Sequence, residues 1–290
     1  MEIISSIKNI SQYEKIKSKV NGIVLGCQYS FYADNHFTLE EISSIAKLGK
    51  KDHKKVFVLL NKIMHVSDTN SLSSFIDSLI KEDVYIIFQD LGILQILKEK
   101  SYIDKGIYNP LTMITNYMDL LCYDEENLDG VGVSNEIPLK DVSLISTKSN
   151  KVFYLGFGYH PMYQTYRHIV SLYKEHSGLK FENKDLYLQE ATRTTDRCPI
   201  IENDYGTVVF RNGVINTLKE FELLKDVKYL FIDGIFLKEE QFNVVISSYY
   251  DVINNLITKE EGLNLISALN IPENNNFMYE DSVYNPKEFE

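Results

Sequence analysis

The run Gly156-Phe157-Gly158-Tyr159-His160-Pro161-Met162-Tyr163-Gln164-Thr165-Tyr166-Arg167-His168 is the densest group of side chains capable of chemistry in this chain. Its imidazoles and guanidinium can bind anions or move protons. The glycines let backbone approach a ligand closely, and Pro161 suits the first turn of a helix over 162–174. His160, Gln164, Arg167 and His168 would then share a helix face, and the free N–H groups at its start would attract a small carboxylate or phosphate. The alternative is a capping His and a surface ion pair. The two imidazoles could also hold a metal, but no third ligand stands at a fixed spacing.

A second polar stretch, 190–207, contains Arg193 and Arg197, whose forked guanidinium groups suit carboxylate or phosphate recognition unless they serve a structural ion-pair network. Cys198 beside Pro199 fits packing better than nucleophilic attack. Residues 203–206 read as a hairpin turn. Carboxylates able to shuttle protons or bind hard cations follow short apolar runs at Asp90, Glu136 and Asp233. Single carboxylates in such places also serve as helix caps. Asn61 and Asn109 follow other runs. The catalytic candidates are therefore Asp90, Glu136 and His160, and the substrate-binding candidates Asn61, Asn109, Arg167, Arg193, Arg197 and Asp233.

The elements that must position these residues alternate. Apolar runs at 1–6, 22–26, 56–60, 84–88, around Ile107, 130–133, 152–155 and 228–232 predict strands. Amphipathic stretches at 10–19, 38–48, 71–80, 92–99, 111–121, 139–142, 162–174 and 239–256 predict the helices between and after them. Thr38-Leu39-Glu40-Glu41 has the form of a capping box. Parallel neighbours need crossovers of this kind, so eight units predict an α/β fold, a (β/α)8 TIM-type barrel over 1–256. An open doubly wound sheet fits less well, because the first strand-to-helix turn lacks G-x-G-x-x-G. Alternation within 179–216 predicts a β-rich insertion before the eighth strand, and 257–290 reads as a polar C-terminal tail. In such a barrel the functional residues collect at the C-terminal ends of the strands, which is where the candidates fall.

Composition narrows the function class. With 44% hydrophobic and 24% charged residues the chain resembles a globular protein, and no apolar run approaches a membrane span. The first residues lack the pattern of a secretion signal, so a cytoplasmic location is expected. A net charge of -11 repels nucleic-acid backbones at long range. The lysine-rich stretch 47–55 reads as a solvated helix end. Cys27, Cys122 and Cys198 are widely spaced, consistent with reduced thiols and no bound cofactor, while a divalent cation at the carboxylates stays open.

Taken together, several motifs resemble peptidase family U32, the collagenase-like group that also contains tRNA- and ubiquinone-hydroxylation proteins. They are Phe88-Gln89-Asp90-Leu91-Gly92, Val133-Ser134-Asn135-Glu136-Ile137, Gly158-Tyr159-His160-Pro161-Met162, Arg197-Cys198-Pro199-Ile200 and Asp204-Tyr205-Gly206-Thr207. Asp233-Gly234 resembles the start of a further motif, with Ile235 where that motif has Arg. Many relatives carry cysteines for an iron–sulfur cluster in the stretch matching 160–168 and further on, and this chain has none there. The likeness is to the shorter, cysteine-poor paralogues of low-GC Gram-positive bacteria. It implies a part in tRNA wobble-uridine hydroxylation with a longer, cysteine-bearing U32 paralogue, which could supply the grip on tRNA. A peptidase acting on peptides and a non-catalytic scaffolding subunit are the alternatives.

Overall fold

A computed structural model describes residues 1–182 and 185–279. Its strands are β1 (Glu2–Ser6), β2 (Gly22–Gly26), β3 (Lys55–Leu60), β4 (Tyr85–Phe88), β5 (Gly106–Tyr108), β6 (Gly130–Gly132), β7 (Val152–Thr165), β8 (Leu186–Glu190), β9 (Arg193–Asn203), β10 (Gly206–Asn216) and β11 (Tyr229–Ile232). The α-helices are α1 (Ile10–Ile16), α2 (Leu39–Lys51), α3 (Thr69–Glu82), α4 (Leu91–Glu99), α5 (Tyr117–Leu121), α6 (Leu139–Ser146), α7 (Ile169–Ser177), α8 (Glu239–Ile253), α9 (Lys259–Ser267) and α10 (Asn276–Tyr279).

Seven parallel strands run in order from β1 to β7, and β11 pairs in parallel with both β7 and β1, closing the ring. This is the expected (β/α)8 barrel. Ile4, Val24, Phe57, Ile87, Ile107, Phe153, Tyr229 and Phe231 fill its interior, and a larger apolar shell lies between the ring and the helices. The interior is thus a packed core with space only at its ends. The Thr38–Glu41 capping box forms as expected, with Thr38 N donating to Glu41 Oε2 at 2.8 Å.

Two helix expectations fail. Residues 111–116 are not helical: Leu111 has a φ of 62°, and α5 begins only at Tyr117, capped by Asn116. The predicted helix over 162–174 is more consequential. Strand β7 runs on past the barrel to Thr165, and α7 starts at Ile169. The extension pairs antiparallel with β10, which pairs with β9, and β9 with β8, so the β-rich insertion forms one projecting sheet continuous with the barrel wall. Val208 and Phe210 of that sheet pack on Phe31, Tyr32 and Ile235 from the barrel loops.

Beyond the barrel, α9 buries Ile266, and 272–275 run alongside β10, with Val214 N donating to Pro272 O at 2.8 Å. Part of the segment assigned as a polar tail is therefore packed structure up to residue 279; 280–290 lie outside the described residues. No helix among the described residues is long and apolar enough to cross a membrane.

Candidate functional site

A cavity opens at the C-terminal ends of the strands, with an empty volume of about 600 Å³ that includes the solvent at its entrance. Phe88, Phe153 and Phe231 contribute apolar wall, and the polar lining comes from the segments following the strands: Asn61, Gln89, Asn109, Asn135, His160 and Asp233. Strands of one parallel ring end at one face, so residues separated by up to 172 positions converge there.

Glu136 and His160 meet at this mouth. Glu136 Oε1 lies 3.7 Å from His160 Nε2 and 3.8 Å from Arg211 Nη2, ion-pair distances longer than a direct hydrogen bond. His160, with Arg211 behind it, holds the Glu136 carboxyl below the usual glutamate range despite partial burial. His160 is only 1% exposed, yet its Nε2 has no hydrogen-bond partner. Arg211 was invisible to the sequence analysis. It sits in Arg211-Asn212-Gly213, which has the composition of a turn; β-bulges in the pairing of β10 with β7 deliver it to Glu136. Its guanidinium also stacks 3.7 Å from the Phe277 ring centroid, and its buried Nε is unpartnered.

Asp233, just after β11, lines the same cavity and is 8% exposed. Burial first, and the neighbouring Asp34 second, push its carboxyl up to about 7. Its Oδ1 accepts the backbone N–H of Ile235 at 3.3 Å. Gly158 lets β7 approach Asp233 closely: its φ is 140°, and a Cβ there would stand 2.9 Å from Asp233 Cβ.

Other candidates are placed differently. Asp90 caps α4, accepting Gly92 N at 2.7 Å through Oδ1, while Oδ2 accepts Met64 N at 3.2 Å; it ties two loops. Asn61 spends its carboxamide on Phe31 N and Tyr32 O, at 2.8 and 3.1 Å. Asn109 packs over Gly132, where a Cβ would be 2.2 Å from Asn109 Oδ1. Arg167 and Arg197 are exposed outside the cavity, and the side chain of Arg193 lies outside what is described.

The shared helix face of His160, Gln164, Arg167 and His168 does not exist, because these residues lie on β7 and the turn after it. The N-terminus of α7 is met instead from within the chain. Glu202 accepts Val170 N at 2.7 Å and Ser171 N at 3.0 Å, and Thr207 Oγ1 accepts Ile169 N. The anion expected at a helix start is thus the protein's own carboxylate.

The model of peptidase family U32 matches residues 14–280. The chain belongs to peptidase family U32. This U32 chain is 22% identical over 238 residues to "tRNA hydroxylation protein P2" of Bacillus subtilis (strain 168), covering 78% of this chain and 76% of that one. Among solved structures, the U32 peptidase Mk0906 superposes with a TM-score of 0.51 at 14% identity, over 80% of this chain and 92% of that one, a likeness of fold. The Bacillus cereus spore cortex-lytic enzyme SleL reaches a TM-score of 0.42 at 9% identity, over 84% and 73% of the two chains.

An iron–sulfur cluster, which the U32 resemblance brings into question, needs close thiolates, ordinarily four. The donor set of this U32 chain does not fit one. Cys27 is buried after β2, where desolvation pushes its thiol up to about 12; Cys122 is exposed at the end of α5; Cys198 lies on β9. Among the described residues no three His, Cys, Asp or Glu side chains are grouped as metal ligands.

Proposed function

We propose that this U32 protein takes part in hydroxylating the wobble uridine of tRNA, acting with a longer, cysteine-bearing U32 paralogue in the cytoplasm. The observation that carries this reading is the likeness to the Bacillus subtilis protein named for tRNA hydroxylation, which spans about three quarters of both chains. The mouth adds chemical support. Asp233 near neutrality and the His160–Glu136–Arg211 group are suited to holding a polar ligand and moving protons at neutral pH. With three thiols on separate elements, cluster chemistry would have to come from the partner. The chain's net charge of -11 gives the partner a second task, that of gripping the tRNA backbone.

A peptidase reading finds less support. Nucleophilic catalysis needs a hydroxyl or thiol within hydrogen-bond reach of a base, and His160 Nε2 has no such neighbour. Deleting the gene, in a host without a second pathway, and analysing tRNA nucleosides by mass spectrometry tests the proposal. Loss of 5-hydroxyuridine derivatives is expected; unchanged levels reject it.

A further inference from the structure

Two buried carboxyl groups and one half-buried ammonium group lie together behind the wall of the mouth cavity, following β1, β2 and β11. Lys8 Nζ is ion-paired with Asp34 Oδ1, and the Asp34 side chain is 2% exposed. Ser6 Oγ lies 3.4 Å from Asp34 Oδ2 and accepts Gly234 N at 2.8 Å. A Cβ on Gly234 would stand 2.8 Å from Asp34 Oδ2, so this carboxylate sits directly behind the Asp233–Gly234 segment. Among the described residues no lysine or arginine is ion-paired with Asp233; it has the Ile235 N–H and the Ser6 hydroxyl beside it and lines the cavity.

Neighbouring buried carboxyls resist ionising together without compensation, and the single ammonium is ion-paired with only one of them, acting on Asp233 more weakly and from further away. Its ion pair selects Asp34. Burial also leaves the Asp34 carboxyl above its usual range, though Lys8 and Ser6 offset part of that rise. The remaining titratable groups around Asp233 are Tyr32 after β2, and Tyr159 and His160 on β7. Behind Asp34, Glu239 is paired with Lys15 at 2.6 Å.

We propose that Asp34 is a positioning residue: its carboxylate, held by Lys8, reserves a proton for Asp233, so that the cavity presents a neutral carboxyl donor to a carbonyl or oxyanion oxygen of its ligand. A second observation points to a ligand in the same cavity. His160 and Gln89 both line it, and His160 Nε2 and Gln89 Oε1 are buried without hydrogen-bond partners. With Asp233 as donor and Gln89 as acceptor, the matching ligand class carries a carbonyl oxygen together with an N–H or O–H group. The proposal rests on the reading that this mouth is the working site in the tRNA reaction.

The test is a carboxyl NMR titration of the full chain labelled with ¹³C-aspartate, the Asp233 signal being assigned with Asp233→Asn. Wild-type Asp233 is expected to titrate near 7. In Asp34→Asn its midpoint should fall by about one pH unit or more, a tenfold or greater loss of proton affinity. A wild-type midpoint in the ordinary aspartate range overturns the proposal without any variant. So does a midpoint that Asp34→Asn leaves in place while the amide spectrum stays native. The nucleoside assay fails or succeeds separately: tRNA unchanged by gene deletion rejects the proposed function, and the titration still decides Asp34.

Discussion

At the N-terminal end of the barrel, Lys55 Nζ donates to Glu2 Oε1 and to Tyr229 OH, both at 2.8 Å, and Tyr229 OH donates to Asp129 Oδ2 at 2.7 Å. Lys228 Nζ completes the chain on Asp129 Oδ1 at 2.7 Å. At the opposite end, His160 Nε2, Gln89 Oε1, Gln164 Oε1 and Arg211 Nε are buried without hydrogen-bond partners. A buried polar group left unpaired costs roughly 1–3 kcal/mol, so the two ends have opposite energetic characters. The base stabilises the barrel, and the mouth holds unsatisfied groups that a ligand can satisfy. The contrast agrees with the general division of such barrels into a stabilising N-terminal face and a functional C-terminal face.

The strongest way to break this comparison is through pH. Asp233 has a folded pKa near 7, raised above the ordinary unfolded value of about 4. Its contribution to stability is therefore full below about pH 4 and is lost as pH rises through 7. Asp233→Asn should remove this loss, making the variant more stable than wild type at pH 8 by ~2–4 kcal/mol relative to the same comparison at pH 4. Urea unfolding at both pH values measures it, and equal differences at the two would mean the mouth carries no such strain.

At the base the sign reverses. Tyr229→Phe removes the hydroxyl joining Lys55 to Asp129 and should cost roughly 2–3 kcal/mol in chemical denaturation, with tRNA modification unaffected at permissive temperature. A neutral outcome would deny the base its stabilising role.

The smallest effect is expected where the projecting sheet caps its own helix. Glu202→Ala uncovers the start of α7 and should cost about 1 kcal/mol. Hydrogen bonds from Ser171, Val170 and Thr207 overcome desolvation and hold the Glu202 carboxyl below its usual range. That stabilisation is present above the unfolded glutamate pKa and is lost as pH falls through the folded value. A thermal-melt difference between wild type and variant that persists unchanged at low pH would contradict the assignment.

How much of the site was legible follows from which interactions were local. The placement of Glu136, His160 and Asp233 just beyond apolar runs was enough to bring them to one mouth, because all parallel strands of a closed ring end on the same side. Asp90 occupies the same kind of position, yet Gly92 N and Met64 N occupy its oxygens; position alone does not separate a cap from a site residue. Asp34 gave no signal, since its meaning depends on Lys8 and on a strand end some 200 residues away. An Asp in a polar loop is ordinarily solvated.

By itself the sequence determined the alternation of strands and helices and hence the barrel, because side-chain periodicity and caps such as Thr38–Glu41 act within a few residues. Tertiary structure alone decided that 156–165 continues as strand. The apolar spacing from Met162 to Tyr173 satisfies a helix locally, but β10, more than 40 residues later, supplies the hydrogen bonds that make an extended chain the better solution. The same pairing brings Arg211 to Glu136, a contact between residues 75 positions apart. Such contacts are set by the register of non-local strands, and no local pattern encodes that register.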